Sequence, residues 1–249
     1  MNKISELDLT KYKLVIFDWD GTLVDSVGSY KRWDQLFVKK FYGIDWPLEN
    51  FHILSQEIKT VTSKHSENTY FRFLDKKFGN GLTPMQEIWD NLYKLAPIIQ
   101  SEIIYKPRAS EALKLLRENL DLKLALSTNS EMQDIKFYSS SKSKTATILN
   151  PISFFDKILT LNDIENPKPH KESYQKLINY FRVEPSAVLV FEDSLSGVVS
   201  AKATGVDVVA VYDKHSDKDR NSINAIADYS ISGWEQLLMV VESQKGYYI

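Results

Sequence analysis

The chain has no cysteine among its 249 residues. That excludes disulfide staples, a thiol nucleophile and a thiolate metal site. It also lacks any apolar run near the ~18–20 residues that a membrane-spanning helix needs. Neither charge sign dominates: 31 Lys and Arg against 33 Asp and Glu leave a formal net charge of −2, so there is no general attraction to nucleic acid or to an anionic membrane. Glycine (9) and proline (8) are few, and 43% apolar with 26% charged residues is the composition of an ordinary globular protein. Met1 to Lys13 is polar and mixed in charge, without the apolar core of a signal peptide. Together with the absence of cysteine, this gives the expectation of a cytoplasmic protein.

The first informative stretch is Lys13 to Ser26. An apolar run, Leu14 to Phe17, ends in Asp18 and Asp20, then Gly21, Thr22, and Asp25-Ser26. A short continuous apolar run closed by turn residues reads as a buried parallel strand. Open α/β sheets bind ligands at the carboxyl ends of such strands. Asp is poor inside strands, so the pair serves a polar turn or a site; this stretch alone leaves both open.

After Ser26 the pattern becomes helical and aromatic. Tyr30, Trp33, Phe37 and Phe41 form one stripe that Gly43 stops; Trp46-Pro47 makes a connection. Further stripes run through Phe51, Leu54, Ile58 and Val61, and through Tyr70, Phe73, Leu74 and Phe78. Thr83-Pro84 reads as a cap with proline at the first helical position, followed by Met85, Ile88, Leu92 and Leu95 to Pro97. These stripes are read as core, so residues 27–103 form a compact helical insertion. From Lys106 helix and strand alternate: a helix with Ala109, Ala112, Leu113 and Leu116, strands at Lys123–Ser127, Lys157–Thr160, Ala187–Phe191, Val206–Val211 and Tyr229–Ile231, and helices between them. Ser139 to Lys144 reads as an exposed turn. Such alternation predicts a Rossmann-like, doubly wound α/β core with a parallel sheet, built from residues 1–26 and 104–249.

Four successive strand ends carry unusual polar groups: Asp18/Asp20, Thr128/Asn129, Lys168 and Glu192/Asp193. In a parallel sheet these ends share one edge and can converge on one pocket. Clustered carboxylates suit a hard divalent ion such as magnesium. A hydroxyl, a lysine and backbone amides suit phosphate oxygens, and a carboxylate beside them can attack phosphorus to give an aspartyl-phosphate. Each group alone is ordinary: Lys168 reads as a surface lysine, Glu192/Asp193 as a solvated turn. All four in order point to a site.

In this arrangement Asp18-Trp19-Asp20-Gly21-Thr22-Leu23-Val24-Asp25-Ser26, Thr128 after its strand, Lys168-Pro169 with Glu172 and Tyr174, and Glu192-Asp193-Ser194 with Gly197, Ala201, Ala203 and Gly205 resemble the four motifs of the haloacid dehalogenase-like hydrolase superfamily. The helical insertion falls where its β-phosphoglucomutase/phosphoglycolate phosphatase branch carries an α-helical cap domain. The resemblance implies a magnesium-dependent phosphatase acting on a small phosphorylated metabolite. Asp18 would be nucleophile and metal ligand, and Asp20 the proton donor and acceptor that also offers its backbone carbonyl to the metal. Asp193 would be a further ligand, with Glu192 a ligand or its partner. Thr128, the Asn129 amide and Lys168 would hold the phosphoryl group. Asp20 also favours phosphoryl over carbon–halogen chemistry, because the haloacid dehalogenases lack it.

Three features depart from the family pattern: Lys171, preceded by His170, where Pro is usual, Arg108 where Gly is common, and the dissimilar segment Ser130 to Pro151. Arg32, Lys64, His65 and Arg72 are the cap groups available to an anionic substrate; His52 and His215 carry no signal. A phosphosugar mutase of the same branch is the nearest alternative, and a catalytically silent binding module a more distant one. A response-regulator receiver fits poorly, since an acceptor Asp at a third strand end is missing. No nucleic-acid or membrane partner is expected, and the chain is expected to be a monomer or weak dimer.

Overall fold

A computed structural model describes residues 2–51, 54, 67–119 and 121–244. The chain packs as two compact units, one made of Met1–Ser26 with Ile103–Ile249 and the other of Val27–Glu102. The first strand, β1 (Leu14–Phe17), is followed by the inserted unit, whose described helices are α1 (Val27–Tyr42), α2 (Glu67–Phe78) and α3 (Met85–Gln100). The first unit then resumes with α4 (Ala109–Asn119), β2 (Lys123–Ser127), α5 (Met132–Tyr138), α6 (Lys144–Ile148), α7 (Pro151–Phe154) and β3 (Lys157–Leu159). It continues with α8 (Glu172–Phe181), β4 (Val188–Glu192), α9 (Leu195–Lys202), β5 (Asp207–Val211), α10 (Arg220–Ile226), β6 (Tyr229–Ile231) and α11 (Glu235–Gln244).

The six strands form one parallel sheet in the order β3-β2-β1-β4-β5-β6. This is the Rossmann-like order, with its switch point where β1 lies between β2 and β4. All four residues of β1 are buried because both faces of the sheet are covered. Val15 and Phe17 join one apolar cluster with Leu189, Phe191 and Trp234, while Leu14 and Ile16 join the other with Val188, Val190 and Tyr174. Phe17 stacks on Phe191 with ring centroids 5.1 Å apart, and each such buried ring contributes on the order of 2–3 kcal/mol. A continuous apolar run is what a strand covered on both faces requires, so β1 carries no polar alternation.

In the helical unit Phe37, Val38, Phe51, Leu54, Leu74, Ile88, Leu92 and Leu95 are buried together. The expected α2 stripe is shifted: Phe73 is 37% exposed, and Phe71 packs inward between Phe37 and Trp89 in its place. Thr83 does not cap α3. Its hydroxyl donates to Asp75 Oδ1 at 2.6 Å, its amide to Asp75 Oδ2 at 3.0 Å, and α3 runs through Pro97 to Gln100. In the first unit the expected exposed turn at Ser139–Lys144 contains a buried residue, Ser143, whose side chain accepts from the Thr145 amide and starts α6. Ile58, Val61, Lys64, His65, His52 and the Tyr30 side chain lie outside the described residues.

Candidate active site

Register brings the polar groups to one edge. Phe17 is level with Leu126 on β2 and with Phe191 on β4, so Asp18, Ser127 and Glu192 leave the sheet side by side. The Asp18 amide still donates to the Phe191 carbonyl at 3.0 Å, which fixes the base of its side chain. Beyond it the chain folds back in a tight turn: Gly21 takes φ +83°, a left-handed conformation that glycine adopts without cost. The Gly21 amide donates to the Val24 carbonyl and the Leu23 amide to the Trp19 carbonyl. The turn buries Thr22 and returns Asp20 to the same edge as Asp18.

Lys168 is the hub. Its Nζ, on a side chain 3% exposed, lies 2.7 Å from Asp18 Oδ1 and 2.6 Å from Glu192 Oε1, and donates to the Ser127 carbonyl at 2.9 Å. The ammonium also sits 5.0 Å from the Tyr174 ring centroid. Burial by itself lowers Lys168, but the charges of Asp18 and Glu192 outweigh it and hold the ammonium protonated. Burial and the neighbouring Glu192 charge hold Asp18 well above the usual carboxylate range, and the Lys168 charge offsets only part of that rise.

Glu192 has both oxygens engaged. Oε1 takes Lys168 and the Tyr174 hydroxyl, the latter at 2.6 Å; Oε2 takes the Asp193 amide at 3.1 Å and the Ser194 amide and hydroxyl at 3.4 and 3.3 Å. Its carboxylate lies against the first turn of α9. A Cβ added at Gly197 would stand 1.9 Å from Glu192 Oε1, so the glycine is there for close approach. Asp193, the next residue, accepts from the Thr22 hydroxyl at 2.9 Å and from the Ser216 hydroxyl at 3.3 Å. Burial, then the Glu192 charge, pushes its carboxyl up to about 7.

Asp20 is half-buried and faces a different set. Ser26 donates to its Oδ1 at 2.6 Å; Ser130 and Thr128 donate to its Oδ2 at 2.5 and 3.5 Å. Thr128 Oγ1 in turn accepts from the Ser130 amide. Asn129 is exposed, and its Oδ1 accepts from the Lys168 amide at 3.4 Å. The structure thus brings together all the polar strand-end residues read from the sequence. It adds Ser130 and Ser216, hydroxyls that leave no periodic signal and are placed only by tertiary folding, and it shows Thr22 and Tyr174, both within the matched motifs, donating to Asp193 and Glu192.

Of the cationic residues in the helical unit, Arg32 pairs with Glu102 at 2.6 Å. Arg72 binds Asp75 and the Gly81 and Thr83 carbonyls, and so holds the α2–α3 connection together. His170 and Lys171 are exposed, and His170 Nδ1 accepts the Glu172 amide.

Asp18, Glu192 and Asp193 each offer an oxygen within 4.8 Å of the others. Around them four buried carboxylates, Asp18, Glu192, Asp193 and Asp213, face two ammonium groups, Lys168 and Lys106. That leaves an excess of negative charge which a divalent cation with oxygen preference balances, so the donor set fits magnesium.

A parallel α/β sheet with a buried lysine–carboxylate cluster at its switch-point edge places polar groups where open α/β enzymes bind their ligands. The family model for haloacid dehalogenase-like hydrolases matches residues 12–205; the chain belongs to that family and is a phosphohydrolase. It is 24% identical over 207 residues to validoxylamine A 7'-phosphate phosphatase of Streptomyces hygroscopicus subsp. limoneus, covering 82% of this chain and 87% of that one. It is 26% identical over 198 residues to a phosphorylated carbohydrates phosphatase of Thermotoga maritima, covering 78% and 82%. The crystal structure of CbbY from Rhodobacter sphaeroides in complex with phosphate superposes with a TM-score of 0.71 at 19% identity, covering 93% of this chain and 99% of that one. Among the described residues no helix is long and apolar enough to cross a membrane.

Proposed function

We propose that the protein is a magnesium-dependent phosphatase of a small phosphorylated carbohydrate or polyol, working through an aspartyl-phosphate on Asp18. The observation that carries this reading is the buried contact of Lys168 Nζ with Asp18 Oδ1 at 2.7 Å, beside Asp193 at the sheet edge. The ammonium opposes the burial and the Glu192 charge that raise Asp18, so it favours the ionised, nucleophilic form of the carboxylate, and it presents positive charge where phosphoryl oxygens gather. Curated relatives named as phosphatases of phosphorylated carbohydrates and of validoxylamine A 7'-phosphate support the substrate class.

In this reading an Asp18 oxygen forms a bond to phosphorus as the bond to the leaving oxygen breaks, and Asp20 delivers a proton to that oxygen. Asp20 then takes a proton from water as the water oxygen attacks phosphorus. The bond to Asp18 breaks and inorganic phosphate leaves. Thr128, the Asn129 amide and Lys168 position the phosphoryl oxygens, because phosphoryl transfer depends mainly on placement and charge compensation. Asp18, Asp193 and the Asp20 carbonyl would hold magnesium, which when bound supplies compensation for charge on the phosphoryl oxygens. Glu192, with both oxygens engaged, serves as the anchor of Lys168. The helical unit, Val27–Glu102, supplies substrate specificity.

A panel of sugar and polyol phosphates with magnesium tests this reading. Release of inorganic phosphate from at least one member, at a rate that chelation of magnesium abolishes, is expected. Isomer formation without phosphate release would make the protein a phosphosugar mutase instead.

A further inference from the structure

The residues that hold Asp193 form a closed ring that returns to the turn after β1. Thr22 donates to Asp193 Oδ1 at 2.9 Å, and Ser216 donates to Asp193 Oδ2 at 3.3 Å. The Ser216 amide donates to the Asp213 carbonyl at 3.1 Å, and the Asp213 side chain accepts from the His215 amide at 2.8 Å. Asp213 Oδ2 pairs with Lys106 Nζ at 2.8 Å. The Lys106 amide donates to the Leu23 carbonyl at 2.8 Å, next to Thr22. Thr22, Asp193, Asp213 and Ser216 are all buried. Ser216 and Asp213 lie in the loop after β5, a strand end outside the four motifs, and Lys106 lies where the chain re-enters the first unit.

A carboxylate that receives one hydroxyl on each oxygen has little rotational freedom, and hydrogen bonds behind a ligand set its direction and its affinity. The Lys106–Asp213 pair, a half-buried lysine on a buried carboxylate, has little use as a source of stability, since desolvation offsets much of its Coulomb attraction; its geometric effect is to tie the loop to the β1 turn. We propose that the loop leaving β5 is a fifth contributor to the site, in which Ser216, placed by Asp213 and Lys106, fixes the Asp193 carboxylate in the orientation that receives a divalent cation. Ser216 is a positioning residue, acting through Asp193. The proposal rests on reading Asp193 as a magnesium ligand.

Isothermal titration of magnesium into the full chain, with a thermal melt of each variant, tests both. Wild type binds magnesium; absence of binding overturns the metal reading and this proposal with it. Ser216→Ala weakens magnesium binding about tenfold, within the range seen for groups that orient metal ligands, and Ser216→Thr, which keeps the hydroxyl, restores it to within about threefold of wild type on the same basis. Wild-type affinity in Ser216→Ala overturns the proposal while leaving the metal reading intact. Asp213→Asn weakens binding more in wild type than in the Ser216→Ala background, because it acts through the serine. Equal effects in the two backgrounds overturn the ring.

Discussion

At the scale of single residues, the site depends on groups that do no chemistry themselves. Gly197 stands in a helix, where replacing an exposed glycine by alanine ordinarily gains about 1 kcal/mol. Here the added methyl group would meet the Glu192 carboxylate at under 2 Å. Gly197→Ala is therefore expected to lose stability, by about 1–3 kcal/mol as for an overpacked core, and to lower kcat as Lys168 loses its anchor. Chemical denaturation beside steady-state kinetics checks this, and a variant more stable than wild type contradicts it. The same residue shows what sequence can carry. Gly197 is visible as part of a motif, but its reason, a carboxylate resting on helix backbone, appears only once β4 and α9 are folded. Asp18, Asp20, Thr128, Glu192 and Asp193 stood out in the sequence because each closely follows an apolar strand, and Lys168 only through its place in the motif set. Ser130 and Ser216 did not, because a lone serine in a loop has no pattern and acquires its partner from tertiary packing.

At the scale of elements, strands were legible to within a residue or two and helices less so. β1 and β4 are continuous apolar runs covered on both faces, which is why they stand out in the sequence. In α2 two aromatic residues two positions apart compete for one core position, and periodicity favours Phe73 where packing selects Phe71. Thr83 looks like a helix cap, yet its hydroxyl is taken by Asp75, a buried carboxylate that also binds Tyr42 and Arg72. The start of α4 shows the opposite case, where a departure from the family pattern has a structural meaning. Arg108, at a position where the family commonly has Gly, adopts φ +66°, and its pair with Glu111 is half exposed and worth little. Arg108→Gly is expected to raise stability by about 0.5–1 kcal/mol by relieving the left-handed backbone, with Arg108→Ala no more stable than wild type. Thermal melts of the two variants decide; a lower melting temperature for Arg108→Gly contradicts the assignment.

At the scale of the whole molecule, the sheet order places four motif-bearing strand ends and the loop after β5 along one edge, so residues 171 positions apart in sequence, Thr22 and Asp193, share a hydrogen bond. The enzyme class was legible from the strand ends alone. The substrate was not: the cationic residues Arg32 and Arg72 of the helical unit, which the sequence offered to an anionic substrate, are engaged with their own neighbours. The reading of the protein as a phosphatase turns on Asp18 as the nucleophile. The most direct measurement is phosphate release by Asp18→Asn on the substrate selected from the ester panel, with circular dichroism to confirm an intact fold. A loss of activity on the order of 10³-fold or more is expected for removal of a group that acts in the transition state, with the spectrum unchanged. Folded Asp18→Asn that turns over at a rate comparable to wild type would contradict the assigned chemistry.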